Sequence, residues 1–151
     1  MKNLPQIALI ISLFIVLTVL TQIGGIVYLL SLGLYKLLNL KLRFVKAILF
    51  IVTYLFFTFF IIPVLAPFFG REKVNYSGNI RPTNYMTVLL NRNYVRPELN
   101  ELLNQTAKHL ANTNIKIHYL DANFPFINKF PLLPHLSHND GKKIDLINIR
   151  N

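Results

Sequence analysis

Apolar positions in this chain fall into two long unbroken runs, followed by short patches of alternating or helical period. The first run extends from Asn3 to Tyr35 and the second from Ala47 to Gly70, and neither contains a charged residue. About 20 apolar residues in a helix cross the hydrocarbon core of a bilayer. The pattern therefore predicts a membrane α-helical hairpin over residues 1–70, with two transmembrane helices over about residues 5–33 and 47–68. The first run is about twice the length of a signal-peptide core and no A-x-A site follows it, so it reads as a retained helix. Gln22, Gly24 and Gly25 interrupt its centre. Paired glycines let a neighbouring helix approach closely. Pro63 and Pro67 lie near the end of the second run, where they kink or end a helix.

Past Gly70 the pattern changes. Residues 71–84 are mostly polar and read as a juxtamembrane linker. Tyr85 to Leu90 reads as a short strand. Leu99, Leu102, Leu103, Ala107, Leu110 and Ala111 follow the spacing of an amphipathic helix. Pro97 suits its first turn, with Glu98 and Glu101 toward the positive end of its dipole. His109 suits its C-terminus, a structural role. Lys116 to Ala122 alternates like a strand, with Ile117, Tyr119 and Asp121 on one face and His118 and Leu120 on the other. His118 reads as solvent-facing. Pro125, Pro131 and Pro134 keep the next stretch irregular, and His135 reads as a loop residue. Asp140-Gly141 is a favoured hairpin turn, followed by an alternating strand from Lys142 to Ile149. The expected architecture is the helical hairpin followed by a small α+β extracytoplasmic domain over residues 85–151.

Charge adds orientation. Lys36, Lys41, Arg43 and Lys46 lie between the two runs, and few bases flank them outside. The excess of Lys and Arg marks the cytoplasmic loop, here residues 36–46. Both termini are then expected on the extracytoplasmic side, with the C-terminal domain in the periplasm or outside the cell. The net charge of +10 comprises five bases and no acid before Arg71, then eleven bases and six acids. The first five flank apolar helices and suit the lipid bilayer as partner. The rest are scattered, which argues against nucleic acid. The absence of cysteine excludes disulfides and thiolate metal sites. Neither run holds a charged residue of the kind that marks an ion or substrate path, so a pore subunit has little support.

One string carries chemistry: Ser137-His138-Asn139-Asp140-Gly141-Lys142-Lys143-Ile144-Asp145. Across a two-residue turn, His138 and Asp145 fall on one face as near-diagonal neighbours. An imidazole nitrogen and a carboxylate oxygen form a partial ligand set for zinc, which takes three or four protein ligands. The alternative reading is a solvated hairpin.

His138, Gly141 and Asp145 match the H-x-x-G-x-x-x-D spine of the S-x-H-x-x-G-x-A-x-D motif, and the region from Tyr85 onward thereby resembles the zinc D,D-peptidases and D-alanyl-D-alanine dipeptidases that act on murein. The resemblance implies that His138 and Asp145 are zinc ligands, that the glycine permits the turn, and that cell-wall peptide is the substrate. It implies an upstream arginine for the substrate carboxylate, with Arg92 and Arg96 as candidates. The departures are specific. Leu136 stands where the family has Ser, Lys143 where it has Ala, and the E-x-x-H that supplies the general base and third ligand occurs nowhere in these 151 residues. The expectation is a membrane-anchored zinc-peptidase-like protein acting on or near cell-wall peptides, truncated or inactive as it stands. The alternative is a non-enzymatic two-span membrane protein with a small extracytoplasmic interaction module.

Overall fold

A computed structural model describes residues 4–76, 79–132 and 139–150. The chain forms two compact units, Met1–Ile61 and Ile62–Asn151. The boundary falls inside the second apolar run, ahead of Gly70.

In the first unit, α1 spans Leu4–Thr21, α2 Gly24–Leu37 and α3 Arg43–Phe56. The stretch expected as one helix over about residues 5–33 is thus two helices, and the reason is local. Gln22 takes a left-handed backbone (φ 66°) and stops α1. The Thr21 hydroxyl donates to the Leu17 carbonyl and accepts the Gly24 amide at 2.8 Å, so one side chain ties the end of α1 to the start of α2. Such hydroxyls satisfy backbone groups that a break in a helix leaves without partners. α2 then folds back along α1. At Gly25 a Cβ would lie 2.0 Å from Thr18 Oγ1 and 2.5 Å from the Phe14 carbonyl oxygen. The glycines do permit close approach, and the neighbour is the preceding helix of the same chain. Farther along, Gln6 and Ile10 share a cleft with Leu29, Gly33 and Lys36. α3 packs on α2 through an edge-to-face contact of Tyr28 and Phe50, with ring centroids 5.8 Å apart. Lys46 Nζ lies 4.8 Å from the Tyr35 ring centroid.

Among the described residues, two helical stretches are long and apolar enough to cross a membrane: Leu4–Thr21, and a continuous run Phe44–Phe69. The second passes through a π turn at Phe57–Ile61 and α4 (Ile62–Leu65), ending in a 3₁₀ turn at Ala66–Phe69. Pro63 cannot donate an intrahelical hydrogen bond and crowds the preceding turn, which widens instead of breaking. Gly70 closes the run with φ 67°.

In the second unit the residues expected as a linker belong to the fold. The Arg71 amide bonds the Ala66 carbonyl at 3.1 Å, and β1 (Glu72–Lys73) follows at once, pairing antiparallel with β3 (Tyr94–Val95). Val74 and Ile80 are buried. β2 (Ile80–Pro82) lies parallel to β4 (Ile115–Tyr119), which pairs antiparallel with β5 (Leu146–Arg150), giving the order β2-β4-β5. The expected strand at 85–90 is instead a short helix, α5 (Met86–Leu89), whose first amide is held by Asn84 Oδ1 at 2.9 Å. The amphipathic helix forms as read: α6 runs Pro97–His109, with Pro97 at its first position and Leu103 inward. β4 keeps its expected faces, with Tyr119 buried and Ile117 against the core. Val74, Ile80, Val95, Leu103, Tyr119 and Ala122 form that core, and Leu99, Ala107 and Ile144 pack on it.

The expected hairpin is corrected. β5 is shorter than Lys142–Ile149 and takes β4 as its partner. A strand that completes an existing sheet buries more than an isolated ribbon does.

Candidate functional site

The segment 139–145 is pinned to the second unit from several sides. Gly141 has φ 75°, a conformation that side chains with a Cβ rarely adopt. The Arg96 amide donates to the Gly141 carbonyl at 2.8 Å, and Arg96 Nε donates to the Asp140 carbonyl at 3.0 Å. Asp140 Oδ1 accepts the Lys142 amide at 2.9 Å, closing an Asx turn. Beneath the glycine lies Arg71, 1% exposed. A Cβ at Gly141 would meet Arg71 Nη1 at 2.1 Å. Arg71 Nη2 donates to Asn128 Oδ1. Burial lowers the Arg71 pKa, Arg96 lowers it further, and Asp140 opposes both. The Lys142 amide holds the Asp140 carboxyl below its usual range; desolvation opposes it, and the charges of Lys143, Lys142 and Arg71 add to the lowering. Asp145 joins the end of β4: its amide donates to the Asp121 carbonyl, and its own carbonyl accepts from Leu120, both at 3.0 Å.

The candidate residues fare differently. Arg96 reaches the motif directly, but its amide and Nε hold the backbone of the loop. Arg92 is turned elsewhere. It pairs with Asp121 Oδ2 at 3.5 Å and stands 5.8 Å from the Phe124 ring centroid. Asp145 is half-buried, one residue before β5. His138 lies outside the described residues, as do Leu136, Ser137 and His135. Among the described residues no group of three His, Cys, Asp or Glu side chains could hold a metal ion. Asp145 is the one expected ligand among them, and the described side chains do not by themselves make a zinc site.

Two features escaped the sequence reading. Arg71 looks like a flanking charge because it directly follows the apolar run, yet it is among the most buried side chains of the second unit. Arg81 and His118 occupy paired positions on β2 and β4, and Arg81 Nε donates to His118 Nε2 at 2.9 Å. Parallel pairing of β2 with a strand more than thirty residues later left no local signal for that juxtaposition.

No protein-family model matches the chain, and neither the curated proteins nor the solved structures contain a significant match.

Proposed function

We propose that this chain is a membrane-anchored, zinc-peptidase-like protein that works on or near cell-wall peptides, its helical unit in the bilayer and its α+β unit on the extracytoplasmic side. The observation that carries the likeness is the Gly141 environment. The H-x-x-G-x-x-x-D spine demands glycine at its centre, and here a left-handed backbone over a buried guanidinium gives that demand a physical cause. The anchoring is supported by the exposed apolar surface of the long helices: only 6% of Leu4–Thr21 and 11% of an apolar 18-residue stretch within Phe44–Phe69 are buried. Apolar surface on that scale needs lipid or a protein partner.

In this reading His138 and Asp145 contribute two zinc ligands, and further ligands come from a partner or from other parts of the protein. The test is a zinc titration of the full chain in detergent micelles, followed by calorimetry. Saturable binding that is lost in both His138→Ala and Asp145→Ala is the expected result. Binding indifferent to both changes overturns the metal reading.

The second reading, a non-enzymatic interaction module on the same anchor, is favoured by one observation. Arg96, a candidate for the substrate carboxylate, spends its Nε on the loop backbone. Zinc then has no effect on the folded chain in the same titration.

A further inference from the structure

At the C-terminal ends of the parallel strands β2 and β4 lies an open pocket of about 270 Å³, lined by Tyr76, Arg81, Thr83, Asn84, Tyr85 and His118. The paired register sets Arg81 beside His118. The hydrogen bonds already made there decide what the pocket offers. Arg81 Nε donates to His118 Nε2, so that nitrogen carries the lone pair and the proton resides on Nδ1. The histidine presents a donor. Arg81 keeps both terminal amino groups, and no carboxylate pairs with it among the described residues. Asn84 Oδ1 is occupied by the Met86 amide, so that side chain presents its NH2. Thr83 spends its proton on the Tyr119 carbonyl at 3.0 Å. Three nitrogen groups thus line the pocket as donors, with no acidic group among its described lining residues. Burial first, then the charges of Arg81 and Lys116, hold the His118 pKa below its ordinary value, which keeps the imidazole in its neutral, donating form.

A guanidinium with both terminal amino groups uncommitted, flanked by neutral donors, matches an oxyanion. The two rim tyrosines, Tyr76 66% and Tyr85 74% exposed, provide flat surface on which the rest of such a ligand can lie. We propose that the Arg81–His118 pocket binds the phosphate of a phosphate ester. The chemistry is shared by a phospholipid headgroup and by a soluble ester. The site is separate from segment 139–145 and does not depend on the zinc reading.

The test uses the full chain with 15N-labelled histidine in maltoside micelles, its His118 signal assigned by loss in His118→Gln. Inorganic phosphate is titrated against chloride at matched ionic strength. The expected result is a saturable shift of the His118 signal with phosphate and none with chloride. In Arg81→Gln the affinity falls about tenfold or more, the loss of a charge-assisted pair. Asn84→Asp, at an exposed position, places a carboxylate on the rim and abolishes the shift; it decides the matter if Arg81→Gln fails to fold. Nanodiscs then separate the sources. A shift already present with anionic phospholipid and no added phosphate identifies a headgroup, whereas a shift that needs added phosphate identifies a soluble ester. Absence of a saturable phosphate shift, an equal shift with chloride, or binding unchanged in Asn84→Asp overturns the proposal.

Discussion

Gly25 in the apolar unit and Gly141 in the polar one solve the same steric problem with opposite chemistry. Each leaves room for a group that a methyl would strike. At Gly25 the intruder is the Thr18 hydroxyl and the Phe14 carbonyl of a neighbouring helix; at Gly141 it is the guanidinium of a buried arginine. Between helices, close approach yields dispersion contacts and lets hydroxyls serve backbone groups. At Gly141 it gives a buried cation a backbone cradle, and the left-handed φ adds a constraint that Gly25 does not carry. Small residues therefore have different costs of replacement in the two units.

That difference orders the expected effects. Gly141→Val combines a disfavoured backbone with overpacking, and we expect a loss of about 3 kcal/mol or more in the second unit. Hydrogen exchange of the core amides around Val95 and Tyr119 in micelles would measure it. Loss under about 1 kcal/mol would mean that the loop lifts off Arg71 without penalty. Gly25→Leu should cost about 2 kcal/mol and open the α1–α2 pair. Spin labels at Ile10 and Gly33, which flank one cleft, should then move apart, and an unchanged distance would break the comparison at its apolar end. Thr21→Val removes the hydroxyl that joins the two helices and should cost about 1 kcal/mol, read in the same distance distribution as a minor open population.

The smallest effect is titrational. The Asp140 carboxyl has a lowered pKa in the fold, so its contribution to stability is present above the ordinary value of 3.8 and fades as pH falls through the lowered one. Its Cγ resonance should titrate below that ordinary value in the native chain and return toward it in Gly141→Val. His118 behaves similarly at higher pH. Its folded pKa is also lowered, so the stability tied to its neutral form is complete above the ordinary 6.5 and declines as pH falls below it. Arg81→Gln should reduce that decline.

Much of this was readable from residue order wherever local interactions decided the outcome. α6 follows from Pro97, the acidic first turn and the leucine spacing. β4 follows from alternation. Hydropathy failed at Gln22 because length and apolarity say nothing of a hydroxyl able to join two helices across a left-handed residue. Asp140-Gly141 reads locally as a turn, and it forms an Asx turn with Gly141 in the left-handed region. No local rule selects the partner of β5, because β4 lies more than twenty residues upstream. Residues 71–84 read as linker since a lone arginine beside polar residues carries no mark of burial. What buries Arg71 is Asn128 and the 140–141 backbone, both far along the chain.

The junction at Arg71 has a practical result. No slack separates the last apolar turn from the sheet. The Arg71 amide holds the Ala66 carbonyl, Phe69 stacks edge-on against Phe126 with centroids 4.9 Å apart, and β1 begins one residue later. Trimming the gene at Arg71 to obtain a water-soluble fragment would strip away an integral wall of the globule. A workable excision starts near Ile62, and the recombinant product inherits a greasy stub that must be masked or mutated before it will stay monodisperse.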